Sequence, residues 1–160
     1  MNIIIRRAKK EDAKSIFELI NYLAVFENEP NEVEVTVADI ERDGFEGQPL
    51  FNVYVAEVDN EVVGMALYYY RYSTWKGKTI HLEDLIVRDD MRKNKIGTKL
   101  FESVIKQAND EGLRRVEWVV LDWNTPARDF YINAGANILE GWETVQMNEN
   151  GIKNFIEKLN

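Results

Sequence analysis

Residues 82–100 read LEDLIVRDDMRKNKIGTKL, and the fold turns on how this stretch is parsed. Its first six residues form a short apolar run interrupted by two carboxylates, Glu83 and Asp84. A run of this length ending in a charged loop predicts a strand. From Ile96 onward, Leu100, Phe101, Val104, Ile105 and Ala108 recur at spacings of three and four, and Gly112 follows where such a helix should end. The stretch is therefore strand, basic loop, helix. Free N–H groups in the first helical turn and the positive end of the helix dipole make such a junction an anion site. Its best-known relatives are excluded, because neither G-x-x-x-x-G-K-[ST] nor G-x-G-x-x-G occurs in the chain. Adjacent carboxylates within a strand break simple alternation and mark a bulge or a functional position. Without a bulge, Glu83 and Asp84 point to opposite faces.

Working outward, FNVYVAEV (51–58), Asp59-Asn60 and EVVGMALYYYRY (61–72) predict a hairpin, since Asp and Asn tolerate the left-handed backbone of tight turns. NIIIRR at 2–7 predicts an N-terminal strand. Ala13, Ile16, Phe17, Ile20, Leu23 and Ala24 then carry helical periodicity. Thr36 with Asp39 resembles a capping box opening a shorter helix that stops at Gly44. Downstream, RRVEWVVLD reads as a strand, TPARDFYINAG as a helix with Pro126 in its first turn, residues 137–147 as a last strand and residues 149–159 as a short terminal helix. Strands and helices in this order predict an α/β (α+β) fold, a mixed sheet with helices packed on its faces. The expectation is one domain spanning 1–160.

Composition narrows the function. The net charge of −8 argues against gripping nucleic acid, and no apolar run approaches the roughly 18 residues of a membrane span. Cysteine is absent, so thiol nucleophiles and disulfides are excluded, and a cytoplasmic location is expected. His81 is the only histidine, which leaves no basis for a histidine metal site and reads as structural. Charge is unevenly spread. Acidic residues dominate 27–46, whereas Arg88, Arg92, Lys93, Lys95 and Lys99 reverse the sign locally. Such a chain could hold a cationic and an anionic ligand together, although a solvated surface explains either run taken alone.

The strand LEDLIV, the loop RDDMRKNKIG and the later residues Asn124, Pro126, Phe130, Tyr131, Gly135 and Ala136 together resemble the GNAT superfamily of N-acetyltransferases. Within it, LAVFE, MALYYY, YSTWKGK, LEDLIV, LDWN and EGW are similar to the diamine acetyltransferase group, which includes spermidine/spermine and thialysine acetyltransferases. The resemblance implies a mostly antiparallel sheet with helices on both faces and a splayed pair of central strands. It implies acetyl-CoA as cosubstrate, its pyrophosphate on Arg92, Lys93, Asn94, Lys95, Ile96, Gly97 and Thr98, and its pantetheine arm along Leu85, Ile86 and Val87. Asn124, Thr125, Pro126 and Ala127 match a second cofactor contact. Tyr131 matches the general acid toward the departing thiolate; outside that motif it would read as a half-buried aromatic beside Phe130. Glu83 matches the catalytic carboxylate, acting through a water. Asp84, Phe26, Glu27, Trp75 and Glu140 match substrate contacts, and the group's habit implies a homodimer.

The chemistry explains the carboxylates. An alkylammonium with a pKa of about 10.4 lies about 3.4 units above neutral pH, so exposing its lone pair costs about 4 to 5 kcal/mol, which a positioned base lowers. The chain departs from the family pattern in two places. Lys95 stands at the loop's first glycine, and Ser73-Thr74 stands where spermidine/spermine enzymes carry Asp-Pro, closer to the thialysine branch. The expected function is acetylation of a small primary amine, whether a diamine, a polyamine or a lysine-like amino acid. A non-catalytic CoA-binding domain and a protein or peptide acetyltransferase stand as alternatives.

Overall fold

The computed structural model describes residues 1–159. The chain divides into two compact units, Met1–Val119 and Val120–Asn160. In the first, β1 (Ile3–Arg7), α1 (Ala13–Phe26), α2 (Val37–Phe45), β2 (Asn52–Val58), β3 (Glu61–Ser73), β4 (Gly77–Val87), α3 (Ile96–Asp110) and β5 (Val116–Glu117) follow in order. The strands form one sheet in sequence order, antiparallel from β1 to β4 and parallel between β4 and β5. The β2–β3 turn uses Asp59 and Asn60 at φ 50° and 68°, the left-handed pair that the sequence predicts.

One face of the sheet buries Val53, Val55, Met65, Leu67 and Ile86 against Ala13, Ile16 and Leu19 of α1 and Ile40 of α2. On the opposite face α3 brings Ile96, Leu100, Phe101, Val104 and Ala108 to the strands. Gly64 of β3 is required there. A Cβ at this position would lie 2.8 Å from the Ile86 carbonyl oxygen and 3.4 Å from Leu100. The capping box of α2 forms as read, with Thr36 Oγ1 accepting from the Asp39 N–H at 3.2 Å and the Asp39 carboxylate accepting from the Thr36 N–H at 2.8 Å. Gly44 does not stop this helix. It is buried within it because the Phe51 ring occupies the space of a Cβ, 2.6 Å away.

The second unit holds α4 (Thr125–Asn133) and α5 (Glu149–Glu157). Asn124 caps α4 by accepting from the Ala127 N–H at 3.4 Å, Pro126 lies in the first turn, and Asn148 caps α5 by accepting from the Gly151 N–H at 2.9 Å. Two predicted strands come out differently. RRVEWVVLD contributes only Val116–Glu117 to the sheet, and residues 137–147 form no strand. A strand exists by virtue of its ladder partner. Residues 137–147 have none among the described residues, and Gly141, at φ 84°, breaks the extended run.

Candidate active site

β4 positions the acidic residues through an irregularity in its pairing with β3. Leu67 pairs with Asp84 and Tyr68 with Leu82, which leaves Glu83 as the extra residue of a bulge. The register settles where the side chains go. On β3, Leu67 faces α1 in the core and Tyr69, two residues on, shares that face; their partners on β4 are Asp84 and His81. Glu83 joins this face, because its Oε2 lies 3.3 Å from His81 Nε2. Both carboxylates therefore reach the same side of the sheet.

Glu27, which ends α1, completes the acidic group. Burial, with the nearby charges of Glu83 and Glu27, pushes Asp84 up to about 7. Burial and the charge of Glu83 likewise raise Glu27 above the usual carboxylate range. For both groups burial is the larger cause and repulsion between the carboxylates the smaller. Such a cluster favours a cation, whose charge would relieve the repulsion.

Beyond the bulge the outer edge of β4 has no ladder partner among the described residues. Pairing with β5 covers only Ile80 and His81, so residues 82–87 have no β5 neighbour. The Arg88 N–H donates to the Val63 carbonyl at 3.0 Å, and alternation along an antiparallel ladder turns the N–H groups of Leu85 and Val87 to the edge away from β3. The Arg92 Nε donating to the Val87 carbonyl at 3.5 Å agrees with that direction.

The basic loop follows directly. Lys93 and Lys95 both adopt left-handed backbone, at φ 66° and 60°, and Lys95 is the N-cap of α3. The Asn94 amide donates to the carbonyls of Met91 and Arg92 at 3.1 and 3.3 Å, which pins the loop. The N–H groups of Ile96, Gly97 and Thr98 have no side-chain cap and no acceptor among the described residues. The cations divide into two sets. Arg88 pairs with Asp90 and Glu61, and Arg92 with Asp89, whereas Lys93, Lys95 and Lys99 make no ion pair among the described residues. Unsatisfied first-turn donors beside unpaired lysines fit the pyrophosphate of acetyl-CoA.

The remaining predicted residues fall as follows. Phe26 meets the Arg92 guanidinium, 5.4 Å from ring centre to Cζ. Trp75 is 76% exposed in the turn between β3 and β4, where Ser73 Oγ accepts from the N–H groups of Trp75 and Lys76. In the second unit, Asn124, Thr125, Pro126 and Ala127 form the start of α4. Burial pushes Tyr131, also on α4, up to about 12, and its ring lies 5.4 Å from that of Phe130. Glu140 is exposed in an irregular stretch. The sequence reading missed the surroundings of Glu83: His81 and Arg71 are two and twelve residues away along the chain, and only the hairpin register brings them together. Among the described residues no group of His, Asp and Glu is arranged to hold a metal ion.

Residues 11–136 match the acetyltransferase (GNAT) family. The chain belongs to that family. It is 38% identical over 151 residues to thialysine N-epsilon-acetyltransferase of Bos taurus, covering 88% of this chain and 89% of the relative. Against the enzyme of the same name in Sus scrofa the identity is 34%, over 98% and 99% of the two chains. It is 34% identical to spermidine/spermine N(1)-acetyltransferase-like protein 1 of Homo sapiens over 90% of this chain but 22% of that longer protein. Among solved structures, an integron cassette protein from the mobile metagenome of V. cholerae superposes with a TM-score of 0.80 at 20% identity, covering 98% and 99% of the two chains. An aminoglycoside N-acetyltransferase in complex with CoA superposes with a TM-score of 0.75 at 16% identity, over 91% and 94%. These structural likenesses speak to the fold. Membership of the GNAT family makes this protein an N-acetyltransferase using acetyl-CoA and acting on a small amine.

Proposed function

We propose that the protein transfers the acetyl group of acetyl-CoA to the side-chain amine of a lysine-like amino acid, thialysine or a close analogue, by direct attack within a ternary complex. The observation that carries this reading is the bulge at Glu83, which turns Glu83 and Asp84 to one face within electrostatic reach of Glu27. Asp84 and Glu27 receive the cationic amine. Glu83 takes its proton through a water, reducing the roughly 4 to 5 kcal/mol needed to expose the lone pair at neutral pH. Acetyl-CoA supplies the activated acyl carbon. The N–H groups of Leu85 and Val87, at the edge of β4 away from β3 with Ile86 between them, are the donors assigned to the thioester oxygen. Arg92, Lys93, Asn94, Lys95, Ile96, Gly97 and Thr98 take the pyrophosphate.

Further assignments extend this reading. Asn124, Thr125, Pro126 and Ala127 form the second cofactor contact, while Phe26, Trp75 and Glu140 contact the amine. Tyr131 serves the departing thiolate. A phenol pushed to about 12 stays protonated at neutral pH but is a weaker acid than a thiol of about 8.5, so its contribution is a donated hydrogen bond more than complete proton transfer. Residues 1–160 act as one N-acetyltransferase domain, as a homodimer in the cytoplasm. Thialysine acetyltransferases of four animals at 33–38% identity, and the L-ornithine N5-acetyltransferase of Arabidopsis thaliana at 32%, support an amino acid over a polyamine. So does Ser73-Thr74.

Thiol release from acetyl-CoA, measured against thialysine, lysine, ornithine, putrescine and spermidine, tests the proposal. The expected result is a kcat/KM for thialysine or lysine at least about tenfold above that for spermidine, equivalent to about 1.4 kcal/mol of discrimination. A preference for spermidine would move the substrate class to polyamines. Absence of amine-dependent release would overturn the reading.

A further inference from the structure

His81 is 7% exposed and is held between two charged groups. Its Nδ1 lies 3.1 Å from an Arg71 guanidinium nitrogen, and its Nε2 lies 3.3 Å from Glu83 Oε2. A guanidinium has donors only, so Nδ1 must accept, and the proton of the neutral ring resides on Nε2, facing the carboxylate. Arg71 is itself fixed by Glu117 at 2.9 Å, and Glu117 lies 3.8 Å from Arg115. Tyr69, opposite His81 on β3, packs its ring 5.1 Å from the imidazole. The carboxylate needs such support. Glu83 is the unpaired residue of a bulge and its side chain is half exposed, so the ladder does not fix its rotamer.

We propose that His81 is the positioning residue for the general base: Arg71 fixes the ring tautomer, and the Nε2–H group holds the Glu83 carboxylate toward the amine. The idea rests on the assignment of Glu83 as base. Proton bookkeeping is simple. Two protons leave the nitrogen: the first passes through water to Glu83 and on to solvent, and the second, lost from nitrogen after attack, ends on the CoA thiolate, while the Arg71 donor keeps His81 Nδ1 an acceptor. A donor that orients a carboxylate without taking its proton restricts rotation and leaves an acceptor oxygen free for the water.

Because His81 is the only histidine, long-range 1H–15N correlation of the labelled protein reports its tautomer from one set of signals. The expected result is a bare Nδ1 and a protonated Nε2; the opposite tautomer overturns the proposal. Kinetically, His81→Phe should lower kcat about tenfold and shift the acidic limb of its pH profile, with the KM for acetyl-CoA changed less than about twofold. In a Glu83→Gln background the same change should cost less than about twofold further, because the group it positions is already gone. Native kcat in His81→Phe, or an undiminished tenfold loss in the double variant, overturns the proposal. Arg71→Met guards against a folding failure, since the Arg71 side chain is half exposed. It should yield mixed tautomers and a lower kcat; an unchanged tautomer and kcat would again overturn the relay. Glu83→Gln with native kcat is a separate outcome, which removes the base assignment itself and with it this role of His81.

Discussion

Asp84→Asn should stabilise the free protein, and by an amount that grows with pH. Asp84 is pushed from 3.8 up to about 7 by burial and by the charges of Glu83 and Glu27. Its folded pKa is thus above its unfolded one. Below about pH 4 the carboxyl is protonated in both states and contributes no penalty. Between about pH 4 and 7 the unfolded chain releases the proton while the folded protein keeps it, so stability falls as pH rises. Above 7 the full penalty remains. A shift of about three units is worth about 4 kcal/mol at most. Asp84 keeps some contact with solvent, which screens the repulsion, so about 2 to 3 kcal/mol is the figure to expect. Asparagine is nearly isosteric and never ionises. About three-fifths of that penalty develops between pH 5 and pH 8, so the difference in melting temperature, variant minus wild type, should widen by about 3 to 7 °C for a chain of this size. Scanning calorimetry of the free protein at those two pH values measures it. A difference that stays constant would show that Asp84 is not held uncharged by its neighbours, and the electrostatic account of the acidic cluster would fail. The same variant should lose affinity for the amine, so stability and activity move in opposite directions.

The same carboxyl predicts that the KM for a cationic amine rises as pH falls from 7.5 to 6 while the KM for acetyl-CoA holds, because the amine binds the ionised form; parallel changes in both would refute this. Lys95→Gly removes a left-handed strain of about 1 kcal/mol but adds unfolded-state freedom of similar size, so melting should shift upward by no more than about 3 °C. Its KM for acetyl-CoA should rise a few-fold at low salt and converge with wild type at 0.5 M salt, and a strongly destabilised variant would contradict the backbone assignment. Gly64→Ala should destabilise by about 2 to 3 kcal/mol in urea unfolding, since the new Cβ would meet a backbone carbonyl that cannot move without β4. Tyr131→Phe should lower kcat with little change in acetyl-CoA affinity by calorimetry, and native turnover would remove Tyr131 from its role.

The chain's own pattern determined the parts whose cause is local. The hairpin at Asp59-Asn60, the capping box of Thr36 and Asp39 and the apolar face of α3 each follow from neighbours in sequence, and each forms where it was read except that Ile105 of α3 is exposed. The basic junction at 92–98 was legible for the same reason, as was the family. What sequence alone left open was set by pairing. A strand has no fixed facing until its partner is known, so whether Glu83 and Asp84 share a face depended on the register against Leu67 and Tyr68. Gly44 reads as a helix stop until the Phe51 ring is seen filling the space beside it. Residues 137–147 have strand-like composition but no ladder partner among the described residues, and composition cannot supply one. Lys95 adopts the left-handed backbone that glycine takes at least cost, which the sequence alone did not show. The Arg71–His81–Glu83 contact had no sequence signal. It arises because a bulge and a hairpin register bring donors and a carboxylate together, and those are properties of packing between strands rather than of any one segment.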